Sequence, residues 1–293
     1  EITRALKNVD KSLFAVAALI FLSTPFVLAR RLELIFAAED ARISFLDASN
    51  LTFVGYFFNN FLPTSVGGDI VKAMCATRVT GEGMKSVTCV LMDRILGLFT
   101  FVLIPSFSLL FFLKNVRNPA VPVIIYSLLG GSVVFFVVLF HRGVARQFRF
   151  LEAHLNRLKI GESLRRVYDG LHHFKNHKGV VVQAILLSLI GQSVSVFVVV
   201  LVAQALGSRP PVLHFYLLIP IIHLISMLPS LNGLGIRESA YIYFLKPYLG
   251  REVAAAIGIL WLGLLLMLSV IGGIVYLLRH DYHIRFKGAG PVA

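Results

Sequence analysis

Phe57-Phe58-Asn59-Asn60-Phe61-Leu62-Pro63-Thr64-Ser65-Val66-Gly67-Gly68-Asp69 breaks an apolar run with two amides, a proline, a glycine pair and a carboxylate. The surrounding stretch, residues 51–76, is apolar enough to enter a bilayer but too interrupted to cross it as one helix. A second stretch, residues 212–249, is broken in the same way by Pro220, Pro229, Asn232, Gly233, Gly235, Arg237 and Glu238. Leu62-Pro63-Thr64-Ser65-Val66-Gly67 lines up with Leu228-Pro229-Ser230-Leu231-Asn232-Gly233, each with Leu-Pro, three residues and then Gly. Beyond each Gly a charged residue opens a new helical run. Non-helical backbone at membrane depth persists only where protein or a watery cavity surrounds it. Both stretches therefore read as re-entrant helical hairpins facing such a cavity.

The rest of the chain supplies the membrane around them. Of 293 residues, 57% are hydrophobic and 15% charged, against about 25% charged in a soluble domain. Mean hydropathy is +0.81. The apolar residues, 24 Phe among them, gather in long runs: 13–28, 87–113, 121–140, 180–206 and 253–278. Each is long enough, or nearly so, to cross about 30 Å of hydrocarbon as a helix. None alternates as a membrane β-strand does, which makes the chain an all-α integral membrane protein.

Charge then sets the topology. The formal net charge is +13, and residues 141–178 hold nine Lys/Arg against three acids, with five His. Clustering of this kind between spans marks a cytoplasmic segment that can rest on anionic headgroups. It does not point to nucleic acid, because no basic stripe has its own folded domain. With 141–178 inside, span 121–140 enters from outside and 87–113 rises from inside. Span 180–206 rises to an external turn at 207–211, and 253–278 descends to a basic tail at Arg279, Arg285 and Lys287. The first hairpin then opens inside and the second outside. That is an inverted repeat, the plan of many secondary transporters.

A single membrane domain, 1–293, results. Residues 12–113 form the first half-repeat with its hairpin at 49–78, and 179–279 form the second with its hairpin at 212–249. Residues 114–178 join them. In that joining segment Leu151, Leu155 and Leu158 share a helical face, as do Leu164, Val167, Leu171 and Phe174, and Gly161 divides two short amphipathic helices. A flat position at the interface suits them.

Few residues could carry chemistry. Asp69 follows Gly67-Gly68, where Asp serves well as a helix N-cap. An ionisable group at membrane depth, however, demands a partner and points to a role. Asp93-Arg94 lies early in span 87–113, roughly 12 Å beyond Lys85 at ~1.5 Å per residue. Neighbours on a helix do not face one partner together, so Arg94 is placed to pair with Asp69 or to meet a phosphate. Arg94 as an interfacial, snorkelling side chain is the plainer alternative. Arg237-Glu238 opens a half-helix after Gly233-Leu234-Gly235. Free N–H groups there attract anions, and an Arg adds a bidentate grip on phosphate. A buried structural ion pair is the competing account of the two.

Other features carry less. Gly81-Glu82-Gly83-Met84-Lys85-Ser86 lacks the spacing and the preceding strand of a phosphate loop. His173 and His177 stand at i, i+4 but suit an exposed interfacial face better than a metal. Cys75 and Cys89 make neither a metal spacing nor a disulfide framework. No Ser/His/Asp order or carboxylate pair marks an enzyme, and no cofactor is called for. Tyr56, Tyr241 and Tyr243 fit belt or packing positions.

The ordered set Phe57-Phe58-Asn59-Asn60-Phe61-Leu62-Pro63, Gly67-Gly68-Asp69, Asp93-Arg94 and Gly233-Leu234-Gly235-Ile236-Arg237-Glu238 resembles the flippase-like membrane-domain family typified by the membrane half of lysylphosphatidylglycerol synthase. The resemblance runs over nearly the whole chain and implies a lipid-translocating fold with two re-entrant hairpins. It implies that the Gly-Gly-Asp, Asp-Arg and Arg-Glu motifs serve the lipid pathway, which singles out Asp69, Arg94, Arg237 and Glu238. The large soluble domain that aminoacylates the lipid is not in this chain, so aminoacyl transfer is not supported. Set against that resemblance, Glu1 falls after the family's usual first span, which leaves open whether a further N-terminal span precedes it. Relatives without the soluble domain are linked to aminoacylated phospholipids, polyprenyl-linked sugars and hopanoids, which leaves the lipid open.

The expectation is a transporter, not an enzyme, in the cell membrane, moving a phosphate-bearing lipid between leaflets. Asn60, Pro63, Gly67, Gly68, Asp69, Asp93, Arg94, Pro229, Asn232, Gly233, Gly235, Arg237 and Glu238 would line its path. Membrane lipids with anionic or phosphate-bearing headgroups are the expected partners. An envelope-lipid biosynthetic enzyme and a second copy of the chain stay open as further partners. The alternatives in function are a lipid-presenting accessory subunit or enzyme of envelope-lipid synthesis, and a small-solute secondary transporter.

Overall fold

The structure is a computed structural model that describes residues 6–62, 66–111, 120–141, 161–227 and 235–282. Pro63, Pro229, Asn232, Gly233 and residues 114–119 and 142–160 of the joining segment, with Leu151, Leu155 and Leu158, lie outside the described residues. Among those described, every regular element is helical. Five helices are long and apolar enough to cross a membrane. They are α1 (Lys11–Ala38), α4 (Gly83–Leu110), α5 (Ala120–Phe140), α7 (Lys178–Ala205) and α10 (Arg251–Leu278). These match the five apolar runs of the sequence, and the chain is a multi-pass membrane protein.

The remaining helices are shorter: α2 (Phe45–Phe61), α3 (Gly67–Thr80), α6 (Gly161–His173), α8 (Val212–Ile225) and α9 (Ile236–Leu249). At ~1.5 Å per residue, α2, α3, α8 and α9 reach only about 21–26 Å, short of the hydrocarbon thickness. Local chemistry sets their ends. Asp10 caps α1 by accepting from the amides of Ser12 and Leu13 at 2.9 and 3.1 Å, and Ser44 caps α2 through the Asp47 amide. α3 stops at Gly81 and α9 at Gly250, both at positive φ (74° and 82°), where glycine avoids the strain a side chain would meet.

α1 continues ten residues beyond the apolar run that ends at Leu28, and carries Arg30, Arg31 and Glu33 inside the helix. In sequence the Arg pair resembles the end of a span. In the fold Arg31 is buried and neutralised, so the helix has no reason to stop there.

α1 packs along α7 at the centre of the molecule. α2 lies against α10, while α8 lies against α4. α3 folds onto both α2 and α4, and α9 onto both α8 and α10. Each short helix preceding a broken segment therefore rests on the long helix from the other part of the chain. One apolar core surrounds Leu32, Phe36, Leu51, Met92 and Leu96. The other surrounds Phe21, Val199, Phe215, Tyr241 and Trp261. α5 is largely exposed, as a helix facing lipid must be. α6 docks through Leu171, and the 3-10 turn after it (Phe174–Asn176) through Phe174, onto the first core. Its amphipathic face is thus covered by protein.

The backbones of α10 and α2 approach each other closely. A Cβ at Gly272 would run into the Phe53 carbonyl, and one at Gly273 would stand 2.9 Å from the Phe57 ring. Small residues at such crossings let membrane helices pack by dispersion, where lipid offers no hydrophobic drive. Gly272→Ala is expected to lower thermal stability in detergent by about 1–3 kcal/mol, as overpacking does. Gly263→Ala, in open space on the same helix, is expected to leave the melting temperature unchanged or slightly raised.

Candidate functional site

A cavity of about 290 Å³ opens where α1–α4 meet α7–α10, and all eight helices contribute to its lining. Its charged side is built around Asp93 of α4, 5% exposed. Arg31 of α1 donates from Nε to Asp93 Oδ1 at 2.6 Å, and Lys72 of α3 donates from Nζ to Oδ2 at 2.9 Å. Arg31 also donates from Nη1 to the Ser188 hydroxyl of α7 at 2.7 Å. One buried carboxylate thereby ties together α1, α3 and α4, and Arg31 carries the link to α7. Gly97 leaves room for the guanidinium: a Cβ there would stand 3.3 Å from Arg31 Nη1.

Arg94 points another way, as a 100° step along the helix requires. Its Nη1 lies 3.3 Å from Asp69 Oδ2, and its Nη2 meets the Met227 thioether at 3.8 Å among the described residues. A thioether is a weak acceptor. Asp69 sits in the first turn of α3, where the partial positive charge of the helix end favours it. It does not cap the helix: Val66 holds that position without a side-chain bond.

Arg237, 2% exposed, donates from Nε and Nη2 to Glu238 Oε1 at 3.2 and 3.0 Å. The other oxygen, Oε2, accepts the Gly235 amide at 2.6 Å. Glu238 thus holds the start of α9 together and fixes Arg237 at the cavity wall. Gly235 has φ 80°, which explains the glycine there.

Two amides brace the first broken segment. Asn59 Oδ1 accepts the Gly68 amide at 3.0 Å, and Asn60 Nδ2 donates to the Leu265 carbonyl of α10 at 3.3 Å. A Cβ at Gly67 would press on Leu62 at 2.6 Å, and one at Gly68 would meet the Gly55 carbonyl. The glycine pair lets α3 lie directly on α2. On the opposite wall His223 stacks on Trp261, ring centroids 4.9 Å apart, and hydrogen-bonds the Tyr241 hydroxyl at 3.2 Å.

Of the residues singled out in sequence, Asn60, Asp69, Asp93, Arg94 and Arg237 line this cavity. Gly67 and Gly68 shape its edge, and Glu238 and Gly235 stand behind Arg237. Tyr56 also lines it, Tyr241 holds His223, and Tyr243 is exposed. His173 engages Glu39 at 3.0 Å. Cys75 and Cys89 are buried and free. The sequence reading missed Arg31 and Lys72. Their signal was spacing: Lys72 lies one helical turn after Asp69, and Arg31 follows Thr24 and Leu28 on one face of α1. Arg31, Lys72, Arg94 and Arg237 face the cavity with Asp69 and Asp93. Even with Glu238 included, four cations stand against three carboxylates. The surplus positive charge favours an anion.

No curated protein and no solved structure matches the chain. The family model described as the lysylphosphatidylglycerol synthase TM region matches residues 1–273, and the chain belongs to that membrane-lipid-related family.

Proposed function

We propose that this protein moves a phosphate-bearing lipid between the leaflets of the cell membrane without altering it chemically. The observation that carries the reading is Arg94. It is a guanidinium at membrane depth, its side chain 23% exposed to the cavity, and among the described residues it meets one carboxylate and a thioether. Such a group is expensive in a bilayer unless it serves a ligand, and phosphate oxygens suit its fork better than sulfur. Lipid headgroups are the most abundant phosphates at that depth.

The packing supports an inverted repeat with two re-entrant hairpins. α2 rests on α10 as α8 rests on α4, α3 folds back onto α4 as α9 does onto α10, and α1 pairs with its counterpart α7. Four helices too short to span, arranged as two hairpins whose inner ends converge on one cavity, suit a site exposed to each side in turn. The positive charge of residues 141–178 and of the C-terminal tail supports a cytoplasmic side for both.

Native mass spectrometry of the purified protein tests the proposal. A phosphate-bearing lipid is expected to remain bound to wild type and to be depleted in Arg94→Ala. Wild-type protein that carries no lipid, or retains it equally after the substitution, would favour a small-solute transporter. A stable co-purifying enzyme would favour a lipid-presenting subunit.

A further inference from the structure

Building on the lipid reading, we infer that the membrane potential drives transport. The headgroup crosses with no accompanying cation, and the emptied site, left with one positive charge, is drawn back to the negative side. Two features carry this: the charge balance of the cavity, and the engagement of every described carboxylate around it with cations of the protein.

Arg31, Lys72, Arg94 and Arg237 face the cavity with Asp69 and Asp93, and Glu238 holds Arg237 from behind. The sum is one positive charge. Residues 63–65 and 228–234, between the described halves of the two broken segments, contain no Asp, Glu, Lys, Arg or His and add nothing to it. Tyr56 and His223, the other titratable groups of the described lining, add no charge in their neutral forms. A phosphodiester brings one negative charge. The occupied site is therefore neutral and the empty site is not, a difference that matters in a medium where charge is costly.

The carboxylates explain why no cation travels with the anion. Asp93 gives one oxygen to Arg31 and the other to Lys72. Glu238 gives Oε1 to Arg237 and Oε2 to the Gly235 amide. Asp69 alone must share its partner when a phosphate takes Arg94. Lys72, one turn along α3, and Arg31 still attract it, while Asp93 repels it. With phosphate bound, Arg31, Lys72 and Arg94 balance Asp69, Asp93 and the ligand, and neutrality is reached with Asp69 ionised. A proton or sodium ion placed on Asp69 would restore the surplus charge among three neighbouring cations.

Potential then acts on a single step. The loaded site crosses as a neutral unit, whereas the return of the empty site moves one positive charge. An inside-negative membrane pulls that charge to the cytoplasmic face, ready to reload, so net movement of the anion runs outward. One charge across 100 mV corresponds to about 2.3 kcal/mol, a limiting ratio between leaflets of about fiftyfold.

The test uses phosphatidylcholine proteoliposomes carrying a trace of acyl-labelled phosphatidylglycerol, a probe with one negative charge. Valinomycin and a potassium gradient set the potential in either direction, and dithionite reports the labelled fraction in the outer leaflet. Wild type is expected to enrich the label at least about threefold in the outer leaflet when the inside is negative, and in the inner leaflet when it is positive. With unlabelled phosphatidylglycerol abundant in both leaflets, the site exchanges lipid without returning empty, and that exchange rate is expected to be unchanged by potential. Asp69→Asn, whose loaded site keeps a positive charge, is expected to make the exchange potential-dependent. Label that crosses but distributes without regard to potential, or that follows a proton or sodium gradient at zero potential, would overturn the inference and leave the lipid reading standing. Label that fails to cross at any potential would overturn both.

Discussion

Asp93→Asn is expected to yield a protein that unfolds far more readily than wild type, or that fails to accumulate in the membrane. Asp93 is the shared counter-charge of two cations, Arg31 and Lys72, each 6% exposed. The amide would leave both charges buried and uncompensated. Breaking a buried pair by removing one partner costs about 3–5 kcal/mol, a large part of the roughly 5–15 kcal/mol that holds a domain folded. The network also joins α1, α3, α4 and α7, so its loss loosens several interfaces at once. Thermal unfolding in detergent, followed by size-exclusion chromatography, measures it. Asp69→Asn should cost much less, because Asp69 and Arg94 are partly exposed to the cavity and water screens the pair. Equal stability of the Asp93 variant and wild type would show that the ion-pair network does not hold these helices together.

Arg94→Ala should act in the opposite manner, leaving the fold intact and removing transport. Its described contacts in the fold are a 3.3 Å ion pair and a thioether, so little structure depends on it. A hydrogen bond to a charged group is worth roughly 1.5–3 kcal/mol, which corresponds to a loss of about tenfold to a hundredfold in the rate of lipid movement. Arg94→Lys keeps the charge but not the planar fork and should fall between, near threefold. Arg237→Ala should match the transport loss of Arg94→Ala and add instability, because it also leaves Glu238 with a single bond, to the Gly235 amide. Transport at the wild-type rate in Arg94→Ala would remove the guanidinium from the pathway.

Much of the architecture was legible in the residues because membrane crossing is a simple physical demand. Five long apolar runs, free of alternation, could only be helices, and all five are. The breaks were legible for the same reason: one helix ends at Phe61 and the next begins at Gly67, and another begins at Ile236 after Gly235, where the apolar runs of the sequence are interrupted. Asp69 and Arg94 were also within reach, since α3 and α4 are neighbours in the chain and pack against each other. Arg31 was not. It stands at the end of an apolar run beside Arg30, where a sequence reads a span terminating in water. Its partners lie 62 and 157 residues away, and no local pattern points to them. Lys72 carried a local hint, one helical turn after Asp69, but its partner Asp93 lies 21 residues away. Which carboxylate neutralises a buried charge is decided by tertiary packing.

Thr24, Gln192 and Ser195, which also line the cavity, were illegible for a different reason. Hydroxyls and amides inside apolar helices are common and usually satisfied by their own backbone. Only the closing of α1 onto α7 shows which of them meet a shared cavity.

Dithionite quenching of a fluorescent phospholipid in proteoliposomes tests the central claim most directly. With wild-type protein, the fraction initially protected in the inner leaflet is expected to become accessible well above the rate of protein-free vesicles, and Arg94→Ala and Arg237→Ala are expected to return that rate toward the protein-free level. Protection that persists with wild type, or that is lost equally fast with both variants, would contradict a lipid pathway through this cavity.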